Sequence, residues 1–331
     1  MPANLPPQYY ELEREFKAER DLHRKLELAQ ELLAIMPKHK GTDKLQAEMK
    51  AKISKLNSQL QSSKKHGDAH HEDFTHIERE GAGQVIIIGP PNSGKSSIVG
   101  LLTHAHTEMA PFPFSTRKPV AGMMPFENIQ IQLIDTPPIA PELTEKYIPE
   151  LVRKADMVVI TVDATSPGNL EEMEYLFDFF RQRSFEFSKN PSTKNEIENK
   201  WQKRGIMAVT HIDQPGGDGA VEVLREFYGN RLSIFGLSVT ANLNVNEFKR
   251  ALFESLEIIR VYCKQPGKEP DLQYPVLLPV GSNAAAMALE IHKDLAHNLK
   301  FAKIWGKGVF DGQMVSGGHP LHDGDIVELH I

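Results

Sequence analysis

The sequence has very little cysteine and no long apolar run, and both shortages restrict what the protein can be. Cys263 is the only cysteine among 331 residues, so no disulfide can form within the chain, and a reducing, cytoplasmic setting is predicted. No apolar segment approaches the ~20 residues that a membrane-spanning helix needs, which predicts a protein without membrane partners. The N-terminal residues lack a basic region followed by an apolar core, the pattern of a secretory signal.

Neither sign of charge is in large excess overall, but charge is unevenly distributed along the chain. The formal net charge is −6, with 40% hydrophobic and 25% charged residues, which is typical of a globular protein. Residues 36–66 nevertheless carry eight lysines against Asp43 and Glu48. Apolar residues at helical spacing on both sides of Pro37 predict a helical hairpin here. Its lysine-rich face is either a solvated surface or a surface that contacts RNA.

A polar stretch at residues 64–80 follows the hairpin and contains His66, His70, His71 and His76. Histidine clusters can bind metal ions, but no cysteine or carboxylate pattern completes a site in this stretch. It is therefore interpreted as a solvated linker.

One stretch has a strong chemical signature: an apolar β-branched run from Val85 leads into a glycine-rich loop, and an apolar helical segment follows. The loop and helix start read Gly89-Pro90-Pro91-Asn92-Ser93-Gly94-Lys95-Ser96-Ser97. The spacing G-x-x-x-x-G-K-S between a strand and a helix is typical of the P-loop, whose backbone N–H groups bind phosphates. It predicts that Lys95 contacts the β- and γ-phosphates of a nucleotide and that the Ser96 hydroxyl binds Mg²⁺.

Strand and helix patterns alternate from residue 84 to about residue 265. Candidate strands cover residues 85–88, 129–134, 157–162, 206–210 and 232–237, and candidate helices cover residues 95–102, 143–154, 170–181, 219–227 and 244–261. This alternation predicts an α/β domain, in which a mostly parallel sheet has helices on both faces and binds nucleotide at the carboxyl ends of its strands. Residues 184–204 interrupt the pattern and are interpreted as an exposed insertion or a helix extension.

A boundary rich in proline and glycine at residues 266–270 precedes a smaller C-terminal unit. Strands are predicted there at residues 276–280, 301–305 and 326–331, with one helix at residues 284–298. Strands wrapped on a single helix predict a small α+β domain.

Two further strand ends carry polar residues that suit a guanine nucleotide with Mg²⁺. Asp135 ends a candidate strand beside the P-loop and can hold Mg²⁺ through water. Thr210, His211 and Asp213 follow another strand, and the Asp213 carboxylate can accept hydrogen bonds from two guanine donors that adenine lacks.

The next strand ends at Ser238 and Val239, where a backbone N–H can meet the guanine O6 oxygen. With the carboxylate at the preceding strand end, this position predicts GTP rather than ATP as the ligand.

These motifs, in this order, resemble the Obg-like GTPases, and most closely the developmentally regulated GTP-binding proteins. Residues 113–122 are similar to their switch I, and the resemblance implies that Thr116 contacts Mg²⁺ and serves hydrolysis together with Lys95. Residues 276–331 are similar to their TGS domain, a ubiquitin-like β-grasp module. The resemblance implies a helical hairpin and linker at residues 1–75, a P-loop GTPase domain at residues 76–268 and a TGS domain at residues 269–331.

Several positions depart from the family's pattern. Pro138 stands where the third motif has a glycine, and proline has no N–H with which to contact the γ-phosphate. Ile139 stands where Ras-like enzymes have a glutamine that orients water, which predicts slow hydrolysis. Thr210 and His211 replace the asparagine and lysine of the fourth motif, which predicts weaker guanine affinity. Asn92 accompanies activation by K⁺ in related GTPases, and here it either has that role or only shapes the loop.

Three functions are compatible with the sequence. The first is a slow GTPase switch that cycles between GTP and GDP and associates with ribosomes or structured RNA, with the TGS domain as a candidate surface for a protein partner. The second is a GTP-binding scaffold with little or no hydrolysis, and the third is an RNA-binding protein in which nucleotide is secondary. Lys95, Ser96, Thr116 and Asp135 are all present, which favours the first.

Overall fold

A computed structural model describes residues 77–103, 118–191 and 201–331, together with six residues of the N-terminal region. Those six are Leu12, Phe16, Leu28, Ala29, Glu31 and Leu32, and all of them are helical. The chain divides into two compact units, residues 1–73 and residues 74–331. In the first unit Leu28, Ala29 and Leu32 are buried. The predicted second helix of the hairpin, its lysine-rich face and the four linker histidines lie outside the described residues.

The first sheet contains seven strands in the described part of the chain. They are β1 (Gln84–Ile88), β2 (Val120–Phe126), β3 (Ile129–Asp135), β4 (Met157–Asp163), β5 (Phe185–Ser188), β6 (Trp201–Thr210) and β7 (Ser233–Gly236). The spatial order is β2-β3-β1-β4-β6, and the far edge of β6 pairs with β5 along its first half and with β7 along its second half. Every pair is parallel except β2 with β3, which confirms the predicted mostly parallel sheet.

Helices cover both faces of this sheet. They are α1 (Lys95–Thr103), α2 (Ile148–Lys154), α3 (Asn169–Arg181), α4 (Gly217–Tyr228) and α5 (Val245–Ser255). Val85 and Ile87 of β1 face a core shared with α1 and α5, whereas Ile86 and Ile88 face a core shared with α2, α3 and α4. Because a strand buries alternate residues on opposite faces, an apolar run such as that of β1 suits a sheet covered on both sides.

Residues 184–204 do not form the exposed insertion or helix extension that the sequence suggests. Phe185 and Phe187 are buried, and β5 pairs in parallel with the beginning of β6, which starts at Trp201. The alternation of two phenylalanines with polar residues is a strand pattern that fits one buried face. Residues 192–200 lie outside the described residues.

The sequence analysis also does not predict β2. Gly122 and Pro125 disfavour a strand, but β2 is an edge strand, where a proline without N–H is tolerated. A Cβ at Gly122 would lie 2.8 Å from Thr103 Cγ2, so the glycine allows β2 to approach α1 closely.

The helix predicted at residues 143–154 begins only at Ile148. Glu142 adopts a left-handed φ of 63°, and the Thr144 hydroxyl donates a hydrogen bond to the Ala140 carbonyl at 2.8 Å, so residues before the helix form turns. Pro149 lies in the first turn of α2, where its missing N–H breaks no helical hydrogen bond.

The helix predicted at residues 244–261 is wrong over its last third. α5 ends at Ser255, Glu257 has a left-handed φ of 52°, and β8 follows at Ile258–Cys263. β8 lies before the predicted boundary after residue 268, yet it pairs with strands of the second sheet. Its β-branched residues have high strand propensity, but a helical spacing of the same apolar residues masks that signal in the sequence.

The second sheet has five strands in the order β11-β10-β12-β8-β9. The remaining elements are β9 (Val276–Pro279), α6 (Ala284–Ile291), α7 (Lys293–Asn298), β10 (Phe301–Trp305), β11 (Gln313–Val315) and β12 (Ile326–His330). The helix predicted at residues 284–298 is broken at His292, which is extended and whose side chain caps α7. The core of this sheet contains Ala284 and Met287 of α6 packed with Ile304 and Val327, which fits the predicted α+β domain.

Arg260 of β8 connects the two sheets. Its guanidinium forms a bidentate pair with Asp323, with Nε–Oδ1 at 3.0 Å and Nη2–Oδ2 at 2.7 Å, and it also pairs with Glu127 in the turn between β2 and β3. The same guanidinium lies 4.8 Å from the ring centroid of Phe253 in α5. Asn128, next in that turn, donates from Nδ2 to the Tyr262 hydroxyl at 2.8 Å. Among the described helices, none is long and apolar enough to cross a membrane.

Candidate nucleotide-binding site

The glycine-rich loop connects β1 to α1 at the carboxyl end of the sheet, as the spacing predicts. A Cβ at Gly89 would collide with the Thr161 hydroxyl of β4, so only glycine allows the chain to leave β1 on this path. Gly94 has a φ of 82°, a left-handed conformation that glycine adopts without strain. The two glycines thus fit the geometric reasons that the sequence pattern suggests.

Side-chain hydrogen bonds fix the shape of the loop. The buried Ser93 hydroxyl lies 2.9 Å from the Pro90 carbonyl and 2.6 Å from Thr161 Oγ1. Thr161 is itself fully buried and lies 3.2 Å from the Ile88 carbonyl. The sequence analysis does not single out Thr161. The available signal is a hydroxyl residue inside the otherwise apolar strand β4.

Lys95 is buried and folds back on its own loop. Its Nζ donates to the carbonyl oxygens of Gly89 at 3.1 Å and Pro90 at 2.7 Å. Burial lowers the pKa of Lys95 to about 8, although the negative charges of Asp135 and Glu172 oppose that shift. Phosphate oxygens are stronger acceptors for an ammonium group than carbonyl oxygens, so an anion at the loop would compete for this side chain.

Ser96 and Asp135 meet at the start of α1. The Ser96 hydroxyl donates to Asp135 Oδ2 at 2.6 Å, and Asp135 is only 7% exposed. Within the part of the chain that the structure describes, Asp135 Oδ1 is buried without a hydrogen-bond partner. Burial raises the pKa of Asp135, with Ser96 and Lys95 acting in the opposite direction. A hydroxyl beside a carboxylate with an unsatisfied oxygen is a donor set that fits Mg²⁺, which binds oxygen ligands.

The segment after Asp135 is tied to the P-loop strand. The Thr136 hydroxyl donates to the Ile87 carbonyl at 2.7 Å, and the Ile139 N–H donates to the Gly89 carbonyl at 2.9 Å. The Ile139 side chain is 1% exposed and belongs to the core around α2 and α3, so it faces away from the loop. The segment therefore contacts the loop through its backbone.

Thr210 lies directly against the P-loop. It is 2% exposed, its hydroxyl lies 3.3 Å from the Ser93 carbonyl, and a Cβ at Gly94 would approach its Cγ2 to 3.0 Å. His211 follows with a left-handed φ of 57°, and its Nδ1 lies 3.0 Å from Asp163 Oδ1 at the end of β4.

Asp213 and Ser238 lie at neighbouring strand ends, as predicted. A hydrogen bond from the Ser238 side chain is the main factor that lowers the pKa of Asp213. The argument for guanine invokes a buried carboxylate, but Asp213 is exposed here, so its burial would have to come from the base itself. The Ser238 N–H donates to the Leu243 carbonyl at 3.2 Å, which leaves Val239, the half-buried next residue, as the better candidate for contact with O6.

The remaining predicted residues lie around the loop. Pro90 is buried, Pro91 and Ser97 are half-buried, and Asn92 is exposed with a left-handed φ of 59°. Thr116 lies outside the described residues.

Two acidic residues near Lys95 and His211 are not among the sequence-predicted site residues. Asp163 ends β4, and its carboxylate accepts hydrogen bonds from the N–H and the hydroxyl of Thr165, both at 2.8 Å. Burial raises the pKa of Glu172 in α3, and its charge acts on Lys95. The end of β4 gives a signal for Asp163, since it adjoins the P-loop strand, but Glu172 gives none in the sequence.

Comparison with known proteins agrees with this geometry. Residues 84–188 match the family model described as 50S ribosome-binding GTPase, and residues 259–331 match the TGS domain model. An uncharacterized GTP-binding protein of Methanocaldococcus jannaschii is 26% identical, with 91% of each chain covered. Developmentally-regulated G-protein 1 of Arabidopsis thaliana is 24% identical over 90% of this chain and 88% of that protein.

A solved structure shows a related fold over a large share of the chain. The YchF GTPase of Schizosaccharomyces pombe superposes with a TM-score of 0.50 at 11% identity, covering 76% of this chain and 99% of that one. The chain is thus a P-loop GTPase with a C-terminal TGS domain. It belongs with the Obg-like GTPases and is similar to the developmentally regulated GTP-binding proteins, which confirms the family expected from its motifs.

Proposed function

We propose that this GTPase is a slow, Mg²⁺-dependent switch that associates with ribosomes or structured RNA. The observation that carries the nucleotide chemistry is the buried Asp135 carboxylate, which has one oxygen on Ser96 and one without a partner, next to the buried cation of Lys95. Such an arrangement suits a metal–phosphate ligand better than it suits a purely structural role.

Each loop residue has a role in this proposal. Lys95 exchanges its two carbonyl partners for β- and γ-phosphate oxygens, which places its charge where negative charge develops during transfer. Ser96 and Asp135 hold Mg²⁺ together with Thr116, whose part rests on the family resemblance. When bound, Mg²⁺ supplies positive charge to the phosphate oxygens. The backbone N–H groups of the glycine-rich loop bind the same phosphates.

Slow hydrolysis is proposed because the residues after Asp135 offer little help to an attacking water. Ile139 has an apolar side chain that is buried in the core, and its N–H is bonded to Gly89. Pro138 has no N–H. An intrinsic rate on the order of 10⁻⁴–10⁻² s⁻¹, the scale of unassisted Ras-like and Gα enzymes, is expected.

The guanine base is proposed to lie against residues 210–213 and 238–239. Asp213 accepts from the two guanine donors, Val239 or Ser238 offers a backbone N–H to O6, and Thr210 joins this region to the phosphate loop. K⁺ is proposed as a second ion, held with help from Asn92, which is exposed in the loop. Hydrolysis compared in KCl and NaCl at equal ionic strength tests that role, and equal rates would leave Asn92 as a residue that only shapes the loop.

Single-turnover hydrolysis of GTP separates the switch from a GTP-binding scaffold. The scaffold remains a second candidate because of Pro138 and the buried Ile139. A switch releases phosphate slowly when Mg²⁺ is present, and Lys95→Ala abolishes that release. Tight GTP binding without any release would favour the scaffold instead.

Ribosome or RNA association is proposed on two grounds: the matched family is described as ribosome-binding, and residues 38–65 are rich in lysine. Replacing Lys44, Lys50, Lys52 and Lys55 by glutamine should weaken binding and flatten its salt dependence by ~0.7–0.9 log units per lost contact. A matched control replaces four exposed lysines of the TGS region: Lys268, Lys293, Lys300 and Lys307. Binding that survives the first set but not the second would assign RNA contact to the TGS domain.

The TGS domain is also proposed as the surface for a protein partner. We place the protein in the cytoplasm, because its relatives are GTP-binding proteins and a chain with one cysteine suits a reducing compartment.

A further inference from the structure

Asp163 and His211 form a pair at the edge of the nucleotide-binding site. Asp163 ends β4 and His211 follows β6, two adjacent parallel strands whose carboxyl ends therefore lie side by side. His211 Nδ1 lies 3.0 Å from Asp163 Oδ1, and the two side chains are 39% and 20% exposed. The pair is thus partly shielded from solvent but open on one side.

The hydrogen bonds around Asp163 determine how the histidine ring is oriented. The same Oδ1 atom accepts hydrogen bonds from the Thr165 N–H and the Thr165 hydroxyl, both at 2.8 Å. A carboxylate held by these two donors acts as a fixed acceptor, so His211 Nδ1 carries a proton that points at Asp163. The Nε2 atom is then the ring nitrogen left for another ligand.

The position of His211 in the chain directs that nitrogen toward the nucleotide region. Thr210 immediately before it packs on Ser93 and Gly94 of the P-loop, and Asp213 lies two residues beyond it. The left-handed φ of 57° at His211 turns the chain between these two contacts. A histidine rarely adopts this conformation without a compensating contact, and the Asp163 pair supplies one.

We propose that His211, positioned by Asp163, binds guanine nucleotide through Nε2 and makes nucleotide affinity depend on pH in the physiological range. The proposal rests on the function proposed above and adds a residue to its binding site. His211 is the binding residue, and Asp163 is a positioning residue that acts through it.

The expected direction of the pH effect follows from the charge of the ligand. Histidine is the side chain whose unperturbed titration lies between pH 5 and 8. Protonation converts Nε2 from an acceptor into a donor and adds positive charge beside an anionic nucleotide, so affinity should rise as pH falls. A lysine at this position, as in most of the family, would stay charged throughout.

Other titrating groups around the pair must be separated from this effect. Asp163 faces the ring from β4, and Asp213 acts on it from its own loop. Glu172 of α3 acts on Asp163, and Lys95 acts on Glu172. Because these groups and the nucleotide phosphates also titrate, the informative quantity is the difference between two proteins that share all of them and differ only at residue 211.

The experiment measures the affinity of the full chain for fluorescently labelled GDP from pH 6 to pH 8. The native protein should bind about five- to tenfold more tightly at pH 6 than His211→Lys predicts from its own pH profile. His211→Lys should bind well at pH 8 and lack the histidine inflection. Asp163→Asn should move the inflection to lower pH, because it removes the negative charge that favours the imidazolium. His297→Lys, the same change at an exposed site in α7, should leave the native profile intact.

Two outcomes overturn the inference. One is a native profile that coincides with that of His211→Lys, and the other is an Asp163→Asn variant with an unmoved inflection. If a variant does not fold, imidazole NMR titration of the native protein with and without GDP gives the same answer: a His211 signal that GDP does not move contradicts direct binding. Equal affinity of the native protein for GDP and ADP at every pH is a different result, which refutes the guanine site itself.

Discussion

The backbone N–H of Ile139 donates a hydrogen bond to the carbonyl oxygen of Gly89 at 2.9 Å, so the segment after β3 is joined to the first residue of the P-loop. The same carbonyl accepts from Lys95 Nζ at 3.1 Å. When Lys95 turns to a phosphate, Ile139 remains bonded to this carbonyl and its side chain remains in the core. The GTPase would then sense the γ-phosphate with a segment that has one free donor fewer than its glycine-containing relatives.

Restoring an N–H at residue 138 tests that consequence. Pro138→Ala should raise affinity for GTP relative to GDP by roughly threefold to tenfold, the value of one hydrogen bond of about 0.5–1.5 kcal/mol. Competition binding of the two nucleotides measures the ratio. Pro137→Ala, which restores an N–H one residue earlier, is the control. Equal ratios in the two variants would mean that residue 138 does not approach the γ-phosphate.

The buried Lys95 should make the stability of nucleotide-stripped protein depend on pH. Its pKa is lowered to about 8 in the folded chain, below its unfolded value, so the unfolded chain binds more protons above pH 8. The free energy of unfolding should therefore rise from pH 8 toward pH 10.5 relative to Lys95→Met, by up to about 3 kcal/mol. Urea unfolding at several pH values measures this, with the exposed Lys146→Met as control. A constant difference across that range would contradict the burial of a charged Lys95.

Asp213 should determine the preference for guanine. Asp213→Asn should weaken GTP binding by ~2–4 kcal/mol, because the two base donors lose a charged acceptor in a site that the base itself closes. The variant should bind xanthine nucleotide better, since xanthine has an oxygen where guanine has its amino group. Asp218→Asn, at an exposed position in α4, should change neither affinity. A native protein that binds ATP as well as GTP would remove this role from Asp213.

Arg260 should stabilise the association of the two sheets. Arg260→Ala removes the bidentate pair with Asp323 and the contact with Glu127, and it should lower the free energy of unfolding by about 1–3 kcal/mol, given that both partners are partly exposed. Arg260→Lys should recover only part of the loss, because lysine cannot make the fork-shaped contact. Thermal unfolding compared with the exposed Arg250→Ala measures the effect. A native-like midpoint for Arg260→Ala would show that the sheets are held by other contacts.

The elements of the P-loop domain could be predicted wherever the relevant interactions are local. Val85, Ile86 and their neighbours form an apolar strand, and Gly89 and Gly94 lie at positions where a Cβ or an ordinary φ is not allowed. Asp135 could be predicted because it ends a strand next to that loop. These signals depend on residues close together in sequence.

Features that depend on distant contacts could not be predicted. Gly122 and Pro125 disfavour a strand, and β2 exists because β3 provides a partner along its whole length. The Asp163–His211 pair requires that β4 and β6 be adjacent, and the exposure of Asp213 depends on how its loop folds. The switch I residue Thr116 lies outside the described residues, so its part remains a prediction.

The Mg²⁺ dependence of GTP binding by Asp135→Asn tests the central claim most directly. GTP affinity is measured by calorimetry for the native protein and the variant, each with saturating Mg²⁺ and with EDTA, and unfolding curves confirm that both are folded. The account predicts that Mg²⁺ strengthens GTP binding of the native protein at least about tenfold and that Asp135→Asn loses this gain, because the unpartnered oxygen and the negative charge are the metal's attachment to the protein. Equal gains from Mg²⁺ in the native protein and in Asp135→Asn would contradict the account.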